Sequence, residues 1–445
     1  GGSNLWTEVD GISTDECGAL AGIDIDKNGS VWLGTANKGV YLIHRYALTA
    51  SNVGNMFIRE SGKGNDYVHG IYFDKPTNTL WVGFFNRGIA CYHPSMNNFA
   101  LYNQENVQGD WRDENIHAML ELEDGRILMG GQKGLYRYDP KTYSMDLPYR
   151  ELDYQLIRKL YEDKHKRIWV GTYRDGLYCI ENGKVKSYLT TDLDSLETSN
   201  IRMLQEDVEG HLWVSINGGL GRFNPQDGTI SFLFEKYPAL KKYKMAHAIA
   251  LDSKGCMVVG ADNGMYVYDT RKDTVWIPEI EAPGSPLITQ GSNKYNCILN
   301  DSRGLIWLGT QYGIKVMSQD KQIDFLGPEH GFTNTTVQSI REDNNRDIWV
   351  STINAIYKIV VEQEGGHNLY RMTCLDQSKP QEWNALYDFS SLKTREGQIY
   401  FGKMNGFCVF TPENMVFTPC INKPLFTSFR LFDKPVACGE EYNGR

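Results

Sequence analysis

The sequence predicts an all-β chain built as a β-propeller with four-stranded blades, and three observations carry that prediction. A phrase such as Ile23-Asp24-Ile25-Asp26-Lys27-Asn28-Gly29-Ser30-Val31-Trp32-Leu33-Gly34-Thr35 occurs nine times. Its Gly or Ser positions, Gly34, Gly83, Gly130, Gly171, Ser215, Gly260, Gly309, Ser351 and Gly402, follow one another at roughly 41 to 51 residues, the period of propeller blades rather than of short helical repeats. Within each copy the apolar residues alternate, as half-buried strands require.

The fourth copy shows each element in order. Leu156 to Tyr161 alternate as an inner strand, and a turn follows at Asp163-Lys164-His165-Lys166. Ile168-Trp169-Val170-Gly171-Thr172 forms a second strand, Leu177-Tyr178-Cys179-Ile180 a third, and Lys184 to Leu189 a weaker fourth. The first-turn aspartate recurs as Asp26, Asp163, Asp207, Asp252, Asp301 and Asp343. A carboxylate there can accept backbone N–H groups, and the glycine after it (Gly29, Gly210, Gly255, Gly304) supplies the positive φ a tight turn needs. The second hairpin ends in Gly39, Gly88, Gly134, Gly176, Gly219, Gly264, Gly313 and Gly406, with Ala355 in the eighth copy. The mid-strand tryptophans are expected to pack between neighbouring blades rather than to stack on ligands.

Composition narrows the functional classes. With 41% hydrophobic residues and 12% aromatics the chain can bury a large core. A net charge of -9 argues against a general nucleic-acid binder, which needs a basic face to replace condensed counterions. The basic run Lys241, Lys242, Lys244 reads as a solvated loop. The nine cysteines form no CxxC pair; Cys91, Cys179 and Cys408 occupy equivalent strand positions and read as small apolar residues. No transmembrane stretch and no signal-peptide pattern are present in the sequence.

Blades bury their faces only against other blades, so an array closes into a ring or leaves sticky edges. Nine copies are too many for one common ring and too few for two. The phrases resemble the two-component regulator propeller repeats of the periplasmic sensor regions of hybrid two-component histidine kinases in glycan-degrading bacteria. Gly331 to Asp343 leading into Asp347-Ile348-Trp349-Val350-Ser351-Thr352 resembles a penultimate blade, and Gly397 to Gly402 with Asn405 to Pro412 a final one. Lys423 to Phe432 resembles the first strand of an Ig-like domain.

Counting back seven blades from that end, the resemblance implies a division into 1–105, the last two blades of a preceding propeller, 106–420, a seven-bladed propeller, and 421–445, the start of an Ig-like domain. On that reading the chain is a fragment, with the membrane helix and the kinase outside it. A single ring of eight or nine blades is the competing organisation.

Catalytic motifs are weak. Asp24, Asp26, Asn28 and Gly29 begin like a calcium loop, but Thr35 stands where the bidentate acid is required. No G-x-S-x-G elbow marks a nucleophile, and His117, His165, His211 and His247 do not pair at metal spacing. Glycoside hydrolysis by paired acids is the enzymatic alternative, with Glu114, Asp153 and Glu382 the acids outside repeated turns. No metal and no cofactor are expected.

The loops entering the inner strands and the second hairpins should share one face around the central channel, the default ligand site. For copies three to nine that face gathers Trp111, Arg112, Tyr154, Arg158, Tyr173, Arg174, Arg202, Asn217, Lys244, His247, Tyr295, Tyr312, Trp383 and Lys403. Rings beside cationic and polar side chains suit a sugar. Asp110, Asp153, Asp175 and Asp262 share the face, so the ligand's charge stays open at this level. The resemblance implies a non-catalytic periplasmic module that binds an oligosaccharide and signals to a kinase, homodimeric in the full-length protein and tied to the membrane only through segments beyond this chain. A protein-interaction scaffold using the same face is the alternative.

Overall fold

The computed structural model describes residues 9, 11–27, 29–43, 50–53, 67–85, 88–93, 99–104, 107–113, 115–188, 200–216, 219–243, 245–278, 294–332, 336–353, 355–365, 367–375, 386–403, 406–415, 429–431 and 434–436. The chain divides into two compact units, Gly1–Asn98 with Met415–Arg445, and Phe99–Asn414.

The larger unit holds seven antiparallel sheets. Their inner strands are Ile116–Glu121, Ile157–Glu162, Met203–Glu206, Ala246–Leu251, Tyr295–Asn300, Val337–Glu342 and Leu386–Lys393. Each inner strand packs against the next, and the seventh returns to the first, so the blades close into a ring. The first blade takes a fifth strand, Gln108–Gly109, in parallel beside Ser144–Asp146. In the seventh blade the outer strand is Ala100–Tyr102, which pairs antiparallel with Gly406–Phe410. That strand comes before the start at 106 expected from sequence, and it supplies the pairing that removes the ring's last edge.

One carboxylate serves both the turn and the core of a blade. Asp163 Oδ1 accepts the His165 and Arg167 amides at 2.9 and 3.0 Å, while its Oδ2 accepts the Trp169 indole N–H at 2.8 Å. The same pairing joins Asp207 to Trp213 at 2.7 Å, Asp301 to Trp307 at 2.9 Å and Asp343 to Trp349 at 2.8 Å. These four tryptophans are at most 4% exposed. Each lies against an aromatic ring of the following blade: Trp169 on Phe223, Trp213 on Tyr268, Trp307 on Tyr370 and Trp349 on Phe410. Blade closure and turn geometry are therefore set by one Asp-to-Trp spacing of six residues.

The smaller unit holds a four-stranded sheet, Leu20–Ile25, Val31–Thr35, Gly39–Ile43 and Ala50–Asn52, and a three-stranded one, Val68–Asp74, Thr79–Phe84 and Gly88–Tyr92. Trp32, Val40, Val68, Leu80 and Val82 form the core between them. Asp24, read as the start of a calcium-like loop, accepts the Phe73 amide at 2.6 Å, and Asp26 accepts the Ser30 amide at 2.9 Å. Both carboxylates serve the fold; Asn28 lies outside the described residues. A short hairpin pairs Phe429–Leu431 with Lys434–Val436; the rest of 423–432 lies outside the described residues.

Candidate functional site

The loops before the inner strands and the hairpins after the second strands meet on one face of the ring. The Tyr154 amide donates to Lys133 O at 2.9 Å, and the Tyr173 amide to Leu156 O at 2.9 Å. At the entrance five of the inner strands are kinked. Pairing skips one residue between Ile116 and Ala118, Ile157 and Lys159, Ala246 and Ala248, Tyr295 and Cys297, and Val337 and Ser339. A bulge of this kind re-aims the unpaired side chain. The skipped residues are His117, Arg158, His247, Asn296 and Gln338, and Arg202 holds the equivalent place before Met203. Six of the seven blades thus carry a polar residue at this place on the inner strand.

Two clusters form on this belt. In the second blade the Arg158 guanidinium lies 4.5 Å from the Tyr173 ring centroid, and Arg174 lies 5.4 Å from the same ring. The pair of cations holds the tyrosine by its π face. Across the third and fourth blades Arg202 Nη1 donates to His247 Nδ1 at 3.2 Å, while His247 Nε2 meets Asp262 Oδ1 at 2.6 Å. An arginine has no acceptor, so Nδ1 is the acceptor and the imidazole proton sits on Nε2 toward Asp262. Burial depresses the His247 pKa; Asp262 opposes that and Arg202 and Lys294 add to it. Lys294 Nζ stands 3.6 Å from the same carboxylate. His117, on the first blade, is pushed down to about 4 by burial and by Arg158.

The other expected residues divide sharply. Two of them, Trp111 and Tyr295, are buried in the core of the ring. Trp111 is 7% exposed and packs 5.8 Å from Phe407, between the first and seventh blades. Tyr295 is fully buried, and its hydroxyl accepts from Lys315 Nζ at 3.0 Å. Lys403 is also buried. Arg112 is half-exposed and bound to Asp110 through both its Nε, at 2.6 Å, and its Nη2. Tyr154 and Tyr312 stand out into solvent. Asn217, Lys244 and Trp383 lie outside the described residues, as do Glu114 and Glu382.

Sequence reasoning missed the kink as the organising feature. Its signal is a polar residue between two apolar or small ones, as in Ile116-His117-Ala118 or Tyr295-Asn296-Cys297. It also missed Lys159 and Arg341, on the inner strands of the second and sixth blades, and Lys294, just before that of the fifth. On the opposite face the turn of the third blade brings Asp207, Glu209 and His211 together. Asp207 is already engaged by Trp213 and the turn amides, so His211 there takes the place of Arg167 beside Asp163.

The two-component regulator propeller family model matches residues 151–174 and 289–312. Those two stretches match as two-component regulator propeller repeats. Among solved structures, two extracellular domains of hybrid two-component systems from B. thetaiotaomicron share this chain's fold. The first matches at 20% identity and a TM-score of 0.67, over 95% of this chain and 56% of its own. The second matches at 20% identity and 0.56, over 94% and 55%. The chain thus spans just over half the length of each. A virginiamycin B lyase from Staphylococcus aureus matches at 15% identity and 0.51, over 70% and 98%. No curated protein matches this chain by sequence.

Proposed function

We propose that this chain is the ligand-reading part of a periplasmic sensor region, that its ligand is an oligosaccharide, and that the ligand binds at the kinked face of the seven-bladed ring. The observation that carries this reading is the Arg158–Tyr173–Arg174 cluster beside the Arg202–His247–Asp262 chain. A tyrosine held flat by cations presents an edge and a hydroxyl, and fixed Arg, His and Asp groups offer donors and acceptors to sugar hydroxyls. The regulator-propeller repeats and the likeness to sensor extracellular domains support the sensor assignment. The bound sugar favours one arrangement of the parent's domains, and the parent's kinase reads that preference; only differential affinity for two arrangements shifts such an equilibrium.

The reading is non-catalytic. The lyase neighbour shares the fold alone at its level of identity. Among the described residues of the ring, the exposed large apolar side chains Tyr143, Tyr154, Val208, Tyr312, Ile353 and Leu369 are scattered over five blades, which fits a sugar-reading face better than a protein-docking patch.

A thermal-shift screen against defined plant, host and microbial oligosaccharides tests the proposal. A saturable stabilisation of about 2.7 kcal/mol is expected with the right glycan at a hundredfold excess over its Kd. Tyr173→Ala should abolish it without lowering the melting temperature of the free protein by more than a few degrees. Saturable binding that Tyr173→Ala leaves untouched would move the site elsewhere.

A further inference from the structure

The inner strands carry a second regularity, one residue past the kink. That residue pairs with the Gly or Ser of the neighbouring strand: Ala118 with Gly130, Met203 with Ser215, Ala248 with Gly260, Cys297 with Gly309 and Ser339 with Ser351. All five are neutral and buried. In the second blade the position belongs to Lys159, opposite Gly171, and it keeps partial contact with solvent. Among the described residues nothing accepts a hydrogen bond from its ammonium, and no carboxylate pairs with it.

Arg341, on the inner strand of the sixth blade, stands two residues past Ser339, the counterpart of Lys159, and so on the same side of its strand; its charge acts on the Lys159 ammonium. The second and sixth blades are not neighbours in the ring, so that charge acts on Lys159 across the central channel. Arg341 is anchored there, with Nη1 donating to Ile340 O at 3.0 Å and Nη2 to Ser391 O at 2.8 Å. Acids on the surrounding elements are committed elsewhere. Asp110 is held by Arg112, Asp153 by Arg150, and Asp262 by His247 and Lys294. On the flanking inner strands Glu121 holds Arg395 and Glu206 holds Lys164. Burial first, and then Arg341, lowers the Lys159 ammonium to about 8, so it remains largely charged at neutral pH. Like charges in a confined, poorly screened space repel, and an anion placed between them relieves that repulsion.

We propose that Lys159 and Arg341 form an oxyanion site in the channel, and that the glycan read at its mouth carries a carboxylate or sulfate, as a uronic-acid-bearing or sulfated oligosaccharide does. The glycan part rests on the ligand reading above and narrows it; the anion site stands on the two cations alone. Arg158 and Arg202 at the kinks lie on the path such a group would follow inward, and the ligand enters charged end first.

Isothermal titration of the whole chain at constant ionic strength, with sodium sulfate, glucuronate, glucose and acidic and neutral oligosaccharides, tests this. Sulfate and glucuronate should bind where glucose does not, and Lys159→Met should weaken both at least tenfold. Methionine is the residue of the third blade at this position, so the variant should fold. Glucuronate binding no tighter than glucose, or Lys159→Met binding like the parent, overturns the site. An acidic disaccharide bound no tighter than sulfate overturns its glycan half. Asp388 lies on the seventh inner strand, with its side chain outside the described residues. A tenfold gain in sulfate affinity on Asp388→Asn would show a channel already neutralised and overturn the proposal. Neutral oligosaccharides bound as tightly as acidic ones, and equally by parent and Lys159→Met, would sink the acidic-glycan half and leave the ligand face standing. Sulfate and glucuronate bound with no oligosaccharide would leave the anion site standing and sink the ligand face.

Discussion

Replacing Asp343 by alanine removes one side chain and strands three donors. The carboxylate is 3% exposed. It accepts the Asn345 amide at 2.8 Å, the Asp347 amide at 2.9 Å and the Trp349 indole N–H at 2.8 Å. Trp349 is fully buried, so its N–H is left without any partner, a loss of about 1–3 kcal/mol. The two turn amides lie near solvent and recover part of their bonding from water, so each costs about 0.5–1.5 kcal/mol. The expected destabilisation is about 4 kcal/mol, or a fall in Tm of about 8 °C at roughly 2 °C per kcal/mol for a unit of this size. Asp343→Asn keeps an oxygen for the amides and should cost about half as much. Differential scanning fluorimetry of Asp343→Ala, Trp349→Phe and the double variant is the assay. The two changes should be non-additive by at least about 1 kcal/mol, because each removes the same bond. A fall in Tm below about 2 °C for Asp343→Ala, or simple additivity, would refute the account of the turn carboxylate as the anchor of the buried tryptophan.

Three further outcomes are expected. His117 and His247 both bind protons less tightly in the fold than at the ordinary 6.5. Their contribution to stability is therefore complete above pH 6.5 and drains away below it, down to about pH 4 for His117, as the unfolded chain takes up protons first. Melting curves from pH 7 to 4.5 should show that loss, and His117→Gln should flatten it; an identical pH profile for the variant would contradict it. Burial pushes the Cys179 thiol up to about 11 and the Cys408 thiol up to about 12, so neither should alkylate in the native protein at pH 8, whereas both should in denaturant; mass spectrometry of the peptides decides. Deleting the strand Ala100–Tyr102 by starting the chain at residue 106 should lower Tm by more than 10 °C, since it bares the outer edge of the seventh blade; a stable, monodisperse product would contradict its closing role.

Much of the fold was legible because the blade repeats its chemistry. The Asp, Gly and Trp positions mark turns and strands by residue type, and nearly every strand around them lies where the pattern puts it. Ala100–Tyr102 was not legible, because three residues pairing across the whole ring leave no local signature. The site was legible only in part. Tyr173, Arg174, Arg158, Arg202 and His247 follow from counting loops and inner strands. The burial of Trp111 and Tyr295 was not legible, because an aromatic beside a loop has the same letter whether it faces water or the next blade; packing against Phe407 and bonding to Lys315 decide that. Lys159 was passed over because a lysine in an alternating strand reads as a solvated edge, and only the pairing with Gly171 shows that it shares a position with Ala118 and Ala248.

The strand that completes the seventh blade is the first of the ring to be synthesised. Tyr102 must wait for Phe407, 305 residues later, which at ribosomal rates of 5–20 residues per second is about 15–60 s. Until then the first blade has one naked face, since Tyr136 and Tyr138 share their core with Tyr400, Phe407 and Val409. The nascent ring passes through an open arc with two mutually complementary ends, and neighbouring chains in the same state carry the same ends. Folding of this protein is thus a competition between closing on itself and joining its neighbour, decided by concentration and time rather than by the stability of any single blade.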